Sequence, residues 1–121
     1  MANPFCYVEL HSNDLKKARE FYAQLFSWKL EDINLRGVSY TSIAVGEGTG
    51  GGMLTNQAPD GTPSHWLAYV GVDDVVAATK KAKQLGAKVV VDVTQVGGSG
   101  SMSILIDPSG ATVGLWQAKK P

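Results

Sequence analysis

An internal repeat constrains the fold more than any other feature of this sequence. Residues 65–90 can be placed over residues 5–30 at an offset of 60 positions without a gap. Each copy opens with an apolar run, passes a polar cluster and then carries apolar residues at i, i+3, i+7 and i+10. That spacing predicts an amphipathic helix lying on a sheet. Each half of the chain therefore begins with a strand followed by a helix.

Acidic residues mark the expected start of both helices. Asp14 ends the cluster Ser12-Asn13-Asp14, and Asp74 stands at the same place in the second copy. Their side-chain oxygens can accept hydrogen bonds from the unpaired amides of a first helical turn. Gly86 follows the second helical pattern and predicts a left-handed C-cap there.

Three further strand-like runs follow each predicted helix. They cover 28–33, 38–45 and 50–55 in the first half, and 87–93, 101–106 and 111–117 in the second. Turn residues separate them, among them Asp107-Pro108-Ser109-Gly110, a type I turn sequence. The pattern predicts an α+β domain of two βαβββ units, about 4–57 and 64–118, joined by a linker at 58–63. Eight strands exceed the four of a ferredoxin-like fold, and a doubly wound parallel sheet would need more helices.

Composition excludes several classes of partner. Eleven basic residues balance eleven acidic ones, so no net field favours nucleic acid or an anionic membrane. No apolar run is long enough to span a bilayer, and the N-terminus shows no secretory signal. The single cysteine, Cys6, fits a reducing compartment, so a cytoplasmic location is expected. Cys6 has the opposite strand parity to Glu9 and His11, which favours a small buried thiol over a nucleophile.

Three stretches resemble the vicinal oxygen chelate superfamily, which includes glyoxalase I, bleomycin-resistance proteins and extradiol dioxygenases. They are "NDLKKAREFYAQLFSWKL", "HWLAYVGVDDVVAATKKAKQLGAKVV" and "ILIDPSGATVGLWQ". The last two most resemble a subgroup of small glyoxalase-like proteins. The resemblance implies two curled mixed β-sheets with helices on their outer faces and a pocket between the sheets. Enzymes of this family usually hold one divalent metal in that pocket.

The metal-ligand positions that the resemblance implies are occupied by unsuitable side chains. The first-strand position falls on Tyr7 and Leu67, and the last-strand position falls on Gly114 and on Gly52 or Met53. The classical metal centre is therefore expected to be absent, and no cofactor is expected. A shifted divalent-metal site at Glu9, His11 and His65 is the lesser alternative, because the two histidines are expected at opposite ends of their strands.

Strand parity selects the candidate ligand-binding residues of the pocket. It places Tyr7, Glu9 and His11 on one face of the first strand, and other strands add further candidates: Tyr40, Met53, His65, Leu67, Tyr69, Thr112 and Trp116. Four of the ten candidates are aromatic and could stack on a flat ligand or pack in the core: Tyr7, Tyr40, Tyr69 and Trp116. Trp66 has the opposite parity and is expected in the core under the helix.

Glu9 carries the main chemical hypothesis. A carboxylate on an apolar strand needs a partner or a raised pKa. It could be a general base or a polar anchor for a ligand, or it could form a structural bond to Arg36 or a tyrosine. His11, next to the helix cap, is expected to be exposed or part of the cap region.

The glycine run "GEGTGGG", residues 46–52, lacks the Gly-Lys-Ser/Thr ending of a phosphate-binding loop. It is predicted to be a flexible, bulged hairpin beside the pocket.

The sequence thus predicts a small-molecule-binding protein, expected as a homodimer on the strength of the resemblance. One alternative is a lyase or isomerase, with or without metal, that transfers a proton through Glu9 as base and Tyr7 as oxyanion partner. Another is a protein that sequesters drugs, like the antibiotic-resistance members of the family.

Overall fold

The structure is a computed structural model that describes residues 2–35, 38–56, 58 and 60–119. Its two helices are α1 (Leu15–Leu25) and α2 (Val75–Gln84). Its strands are β1 (Phe5–Ser12), β2 (Lys29–Leu35), β3 (Val38–Ala44), β4 (Gly51–Thr55), β5 (His65–Gly71), β6 (Lys88–Val96), β7 (Gly100–Ile106) and β8 (Thr112–Ala118). This order confirms the predicted tandem βαβββ pattern and the α+β class. Strand β6 runs three residues beyond its predicted end at 93.

Contacts between residues divide the chain into two compact units. The first unit contains Tyr7–Leu67, and the second contains the chain from Ala68 onward together with the segment before Tyr7. The predicted extents of 4–57 and 64–118, with a linker at 58–63, remain a prediction. Residue 59 of that linker lies outside the described residues.

The first unit contains a four-stranded mixed sheet in the order β2-β3-β4-β1. Strand β3 runs antiparallel to β2 and β4, whereas β1 and β4 are parallel, with Glu9 paired to Gly52 and Leu10 to Met53. Because side chains alternate along a strand, Glu9 and Gly52 share one face while Leu10 and Met53 share the other. The second face carries the buried core of Leu10, Ile43 and Met53.

Helix α1 covers this core with the residues that its spacing predicted. Leu15, Ala18 and Tyr22 pack against the buried cluster, and Asp14 caps the helix by accepting a 3.1 Å bond from the Lys17 amide. The prediction is wrong for the fourth residue of the stripe, because Leu25 is 55% exposed. The helix ends at Leu25, and Phe26 is already extended.

The second unit repeats this arrangement with strand order β5-β8-β7-β6. Strands β5 and β8 are parallel, and the other two pairs are antiparallel. Asp74 caps α2 through the Ala77 amide at 3.0 Å, as predicted. Buried Thr79 fixes the helix to the sheet, because its hydroxyl donates to Val75 O at 2.6 Å and contacts Ser103 Oγ at 2.8 Å.

Two turn predictions in the second unit are confirmed. Gly86 follows α2 with a φ of 100°, the left-handed conformation that favours glycine. At the Asp107 turn, the Gly110 amide donates to Asp107 O at 2.9 Å. The Asp107 carboxylate accepts bonds from the Ser109 side chain and from the Ser109 and Ala111 amides, which lower its pKa. The turn is therefore held by its own first residue.

The glycine run forms the predicted hairpin between β3 and β4, but its paired part is not bulged. Residues 51–53 pair with 43–41 in an unbroken antiparallel register, so no bulge interrupts the hairpin there. A Cβ added to Gly51 would lie 2.1 Å from Val8 O. The glycine is required because the β1 backbone approaches closely, and not because the hairpin must bend.

Candidate functional site

A buried carboxylate that is hydrogen-bonded to a histidine and a tyrosine lies on the face of the first unit's sheet opposite α1. Glu9 Oε1 lies 2.7 Å from His11 Nε2, and Glu9 Oε2 accepts a 2.9 Å bond from the Tyr40 hydroxyl. The Tyr40 hydroxyl also lies 2.5 Å from the Tyr7 hydroxyl. The ring of His65 stacks on that of His11, with centroids 5.2 Å apart. We call these five residues the Glu9 cluster.

The protons of the two tyrosines can be assigned from this geometry. A phenol carries one proton, and Tyr40 donates its proton to Glu9. Tyr7 must then donate its own proton to the Tyr40 oxygen. The result is a directed chain of hydrogen bonds from Tyr7 through Tyr40 to Glu9.

The tautomers of the two histidines follow in the same way. His11 Nε2 faces a carboxylate oxygen, which accepts hydrogen bonds, so Nε2 carries a proton. His65 Nδ1 lies 2.8 Å from Pro63 O, a carbonyl that can only accept. Nδ1 of His65 therefore carries the proton, and Nε2 of a neutral His65 is a hydrogen-bond acceptor. In the stacked pair, Nε2 of His11 is therefore a hydrogen-bond donor and Nε2 of His65 is an acceptor.

Burial sets the electrostatics of the Glu9 cluster. Glu9 is 8% exposed and His11 is 3% exposed, so the carboxylate depends on its hydrogen bonds in place of water. Desolvation raises the pKa of Tyr7, and the Glu9 charge raises it further. Burial and the Glu9 charge also raise the pKa of Tyr40 far above its usual range. Both phenols therefore remain protonated donors at neutral pH.

Strand alternation brings the three β1 residues of the Glu9 cluster together, and the lack of a side chain at Gly52 lets Tyr40 join them. Positions 7, 9 and 11 share a face of β1, as their parity predicted. Tyr40 reaches Glu9 because its ring occupies the space above Gly52, where an added Cβ would lie 1.9 Å from the hydroxyl oxygen. The sequence offers no signal for this contact, because it joins two strands through an absent side chain.

An asparagine pair places the remaining histidine. Asn56 Nδ2 donates to Asn13 Oδ1 at 3.1 Å and to Thr62 O at 3.0 Å, and the Asn13 amide donates to Ser64 Oγ at 2.8 Å. These bonds hold the segment before β5 at the end of β1, where His65 meets His11. The two histidines do lie at opposite ends of their strands, as expected, but this does not keep them apart, because their rings stack. His11 was expected to be exposed or part of the cap region, and exposure is wrong, because the residue is 3% exposed.

The other predicted pocket residues are spread over both units. Met53 is fully buried in the core under α1, and Leu67 is 1% exposed. Tyr69 and Trp116 belong to the second unit, where the Tyr69 ring lies over Gly114, and Thr112 in that unit is exposed. Arg36, one suggested partner of Glu9, lies outside the described residues, whereas the suggested tyrosine partner is present as Tyr40.

Two further predictions concern residues beside the Glu9 cluster. Trp66 faces α1, as its parity predicted, and its indole donates to the Tyr22 hydroxyl at 3.3 Å. It is 41% exposed, however, so the prediction of a core tryptophan is wrong. The Cys6 thiol lies 3.5 Å from Tyr69 O, and burial raises its pKa, which leaves it a poor nucleophile.

The residues at the family's ligand positions do not fit a divalent metal. Tyrosine side chains occupy the space beside Gly52 and Gly114. A Cβ added to Gly52 would lie 1.9 Å from the Tyr40 hydroxyl oxygen, and one added to Gly114 would lie 2.3 Å from Tyr69 Cδ1. Within 2–35, 38–56, 58 and 60–119, no group of three or more His, Cys, Asp or Glu residues is arranged to hold a metal ion. No chemical step is therefore assigned to a metal here.

Comparison with known sequences identifies the family. The sequence profile of the Glyoxalase/Bleomycin resistance protein/Dioxygenase superfamily matches residues 5–115. The chain belongs to this superfamily. It is 36% identical to CFP32 of Mycobacterium tuberculosis, named provisionally as a glyoxylase, over 118 residues that cover 94% of this chain and 45% of that protein. It is 26% identical to the anthracycline biosynthesis protein DnrV of Streptomyces peucetius, over 92% of this chain and 46% of that protein. The chain spans about half the length of these curated relatives.

Solved structures of other proteins share this fold. A Bacillus halodurans protein, BH1468, aligns with a TM-score of 0.73 at 17% identity, covering all of this chain and 98% of that one. Methylmalonyl-CoA epimerase of Mycobacterium tuberculosis aligns with a TM-score of 0.68 at 16% identity, covering 96% and 87%. At such low identity the likeness concerns the fold alone.

Proposed function

We propose that the protein binds a small oxygen-containing organic molecule at the Glu9 cluster. The observation that carries the proposal is the Glu9 carboxylate, which is nearly buried and bonded at both oxygens on the face opposite the apolar core. Packing does not require a carboxylate there, because burying one costs free energy that its bonds must recover. Convergent polar groups in a largely apolar setting are typical of ligand sites.

The chemistry of the Glu9 cluster suits a ligand with both a hydrogen-bond donor and an acceptor. His65 Nε2 can accept a bond from a ligand hydroxyl, since Nδ1 is held by Pro63 O. A ligand carbonyl or enolate oxygen could take the Tyr7 proton in place of the Tyr40 oxygen, because the raised pKa of Tyr7 keeps it a phenol. Uncharged or weakly acidic carbonyl compounds and phenols are therefore the expected ligand class.

A thermal-shift screen of such compounds, run with and without divalent metals, tests the proposal. A ligand at the Glu9 cluster raises the melting temperature by mass action. Glu9→Gln should weaken its binding by roughly tenfold or more, since a lost charge-assisted bond is worth about 1.5–3 kcal/mol. Glu31→Gln, a matched change at an exposed carboxylate on β2, should leave binding unchanged. Equal binding by both variants would refute the proposal.

A second candidate function is proton transfer to and from carbon, with Glu9 as the base. The bonds that Tyr40 and His11 make to Glu9 favour it because they orient both oxygens of the carboxylate that would accept the proton from carbon. The test is deuterium exchange at the carbon beside a ligand carbonyl, followed by NMR. Exchange that Glu9→Gln abolishes would support catalysis, whereas binding without exchange would leave a binding protein. A glyoxalase assay with glutathione hemithioacetal belongs in the same series.

Drug sequestration is the third candidate, and the similarity to DnrV is the observation that favours it. An anthracycline should therefore be included in the screen. Tight binding without chemical change of the drug would distinguish this function from the second.

We also propose that the protein is a cytoplasmic homodimer. Curated relatives about twice as long match it over 45–46% of their length, so a second copy could supply the remaining half. Neither described helix, of 11 and 10 residues, is long enough to cross a bilayer. Sedimentation velocity across a hundredfold range of protein concentration would reveal the dimer or a monomer.

A further inference from the structure

The first unit carries a second concave surface on the α1-facing side of its sheet, opposite the Glu9 cluster. It is a cleft of about 290 Å³, lined by Val8, Trp28, Ile43, Val45, Gly50 and Trp66 among others. We call it the Trp66 cleft. Its residues point to the same side as Leu10 and Met53, since Val8 pairs with Gly51 and Ile43 pairs with Gly51.

The Trp66 cleft exists because small residues adjoin large ones. Gly50 and Gly51 lie at one side, and an ordinary side chain at Gly51 is excluded by the β1 backbone 2.1 Å from an added Cβ. Two indoles stand opposite each other nearly at right angles, with Trp28 and Trp66 centroids 6.3 Å apart and an interplanar angle of 78°. Tyr22 holds the Trp66 ring through a 3.3 Å bond to its indole nitrogen.

The lining determines which ligand would fit. None of the lining residues is charged, the walls of Val8, Ile43 and Val45 are aliphatic, and Thr49 adds one hydroxyl. A wider cleft of about 650 Å³ lies on the same side, but its Arg19 is already ion-paired with Asp32 at 2.8 Å. An apolar cavity of about 150 Å³ is enough to take up benzene. The Trp66 cleft therefore has room for a fused two-ring system.

We infer that the Trp66 cleft is a binding site for an uncharged, flat aromatic molecule, stacked on the exposed Trp66 indole. Trp66 is 41% exposed although its edge is held in place, so a ligand ring would bury an apolar face without ordering a mobile side chain. This site is separate from the Glu9 cluster, because the two lie on opposite faces of the same sheet.

Indole is a suitable probe, and two-dimensional ¹H–¹⁵N NMR is a suitable measurement for a chain of 12.8 kDa. Titration should move the indole N–H signals of Trp66 and Trp28 saturably, with a dissociation constant on the order of 1 mM for so small a ligand. Trp116, in the second unit, supplies an internal reference whose N–H signal should not follow the same curve.

Two substitutions test the location of the site. Gly50 lines the Trp66 cleft, and a Cβ added to it would meet only Ile43 O at 3.5 Å, so Gly50→Val should narrow the cleft while the fold tolerates it. It should weaken indole binding by about tenfold or more, a loss corresponding to about 1.4 kcal/mol. Trp66→Leu removes the stacking surface and should weaken binding by roughly fivefold or more, read from the Trp28 signal. It provides an independent test if Gly50→Val lowers stability.

Gly98→Val is the matched control, because an added Cβ at this exposed glycine has nothing within 4 Å. It should change the dissociation constant by less than about twofold. The proposal is overturned if indole moves no tryptophan signal, or if Gly50→Val and Trp66→Leu bind as the unmodified protein does. It is also overturned if the Trp66 signal shifts with protein concentration alone, since a second copy would then cover the Trp66 cleft.

Discussion

Tyr40 and Gly52 are matched across neighbouring strands, because the phenol fills the volume that any side chain at position 52 would need. A Cβ on Gly52 would lie 1.9 Å from the Tyr40 hydroxyl oxygen and 2.2 Å from Cζ. Gly52→Ala should therefore displace the ring and lower the free energy of unfolding by about 1–3 kcal/mol, the usual cost of overpacking. Urea denaturation measures it, with Gly98→Ala as a control in open space. Equal stability of the two variants would show that the ring yields without cost.

The bond between Tyr40 and Glu9 should be worth more to stability than a surface hydrogen bond. Tyr40→Phe leaves one oxygen of a buried carboxylate without this donor, which should cost about 1–3 kcal/mol. A double-mutant cycle with Glu9→Gln isolates the interaction between the two side chains. The double variant should be more stable than the sum of the single losses predicts, by at least about 0.5 kcal/mol. Strict additivity would mean that the two groups do not interact.

Alkaline pH should destabilise the protein through the tyrosines of the Glu9 cluster. Burial raises the pKa of Tyr7 and of Tyr40, so the folded chain keeps these protons where the unfolded chain has lost them. The contribution to stability is complete below the ordinary tyrosine pKa of about 10 and is lost as pH rises above it. Urea denaturation between pH 8 and pH 11 measures this slope. Tyr7→Phe and Tyr40→Phe should each flatten it, and an unchanged slope in both would contradict the assignment.

Asn56 should act on the Glu9 cluster from a distance. Asn56→Ala removes the bonds to Asn13 and Thr62 that hold the segment before β5, so the His65 ring should move away from His11. The ring-proton shifts of both histidines report this in one-dimensional NMR, because stacked rings shield each other's protons. Asn3→Ala is the control, since Asn3 also donates its side-chain amide to a backbone carbonyl, at Gly71 in the second unit. Identical histidine spectra for Asn56→Ala and the unmodified protein would exclude the positioning role.

Much of the fold could be predicted because local patterns carry it. Caps at Asp14 and Asp74, the left-handed Gly86 and the Asp107 turn each satisfy their own backbone within a few residues, so short sequence windows contain the signal. Both predicted apolar stripes failed at their last positions, Leu25 and Leu85, which are 55% and 68% exposed. A periodic pattern reports which residues share a face, but not how far the opposing surface reaches.

The candidate site was predictable only where it depends on parity. Tyr7, Glu9 and His11 were placed correctly on one face of β1. His65 joins them through Asn13 and Asn56, which are 43 positions apart in sequence. Tyr40 joins them because Gly52 has no side chain, which leaves room for the tyrosine ring. Contacts of these two kinds leave no periodic pattern in the sequence. The sequence alone therefore predicts an exposed or cap-region His11 and leaves the partner of Glu9 open.

The tyrosines above Gly52 and Gly114 have an evolutionary consequence. The registers pair Glu9 with Gly52 and Tyr69 with Gly114, so the same strand position is glycine in both units while different strands supply the ring. A mutation that brings a carboxylate or imidazole to either glycine collides with a tyrosine, and a mutation that removes the tyrosine first opens a void. Either mutation alone is unfavourable, whereas the two together are acceptable. The glycine and its tyrosine should therefore change together between relatives. An alignment of close homologues would record this mutual epistasis as paired changes.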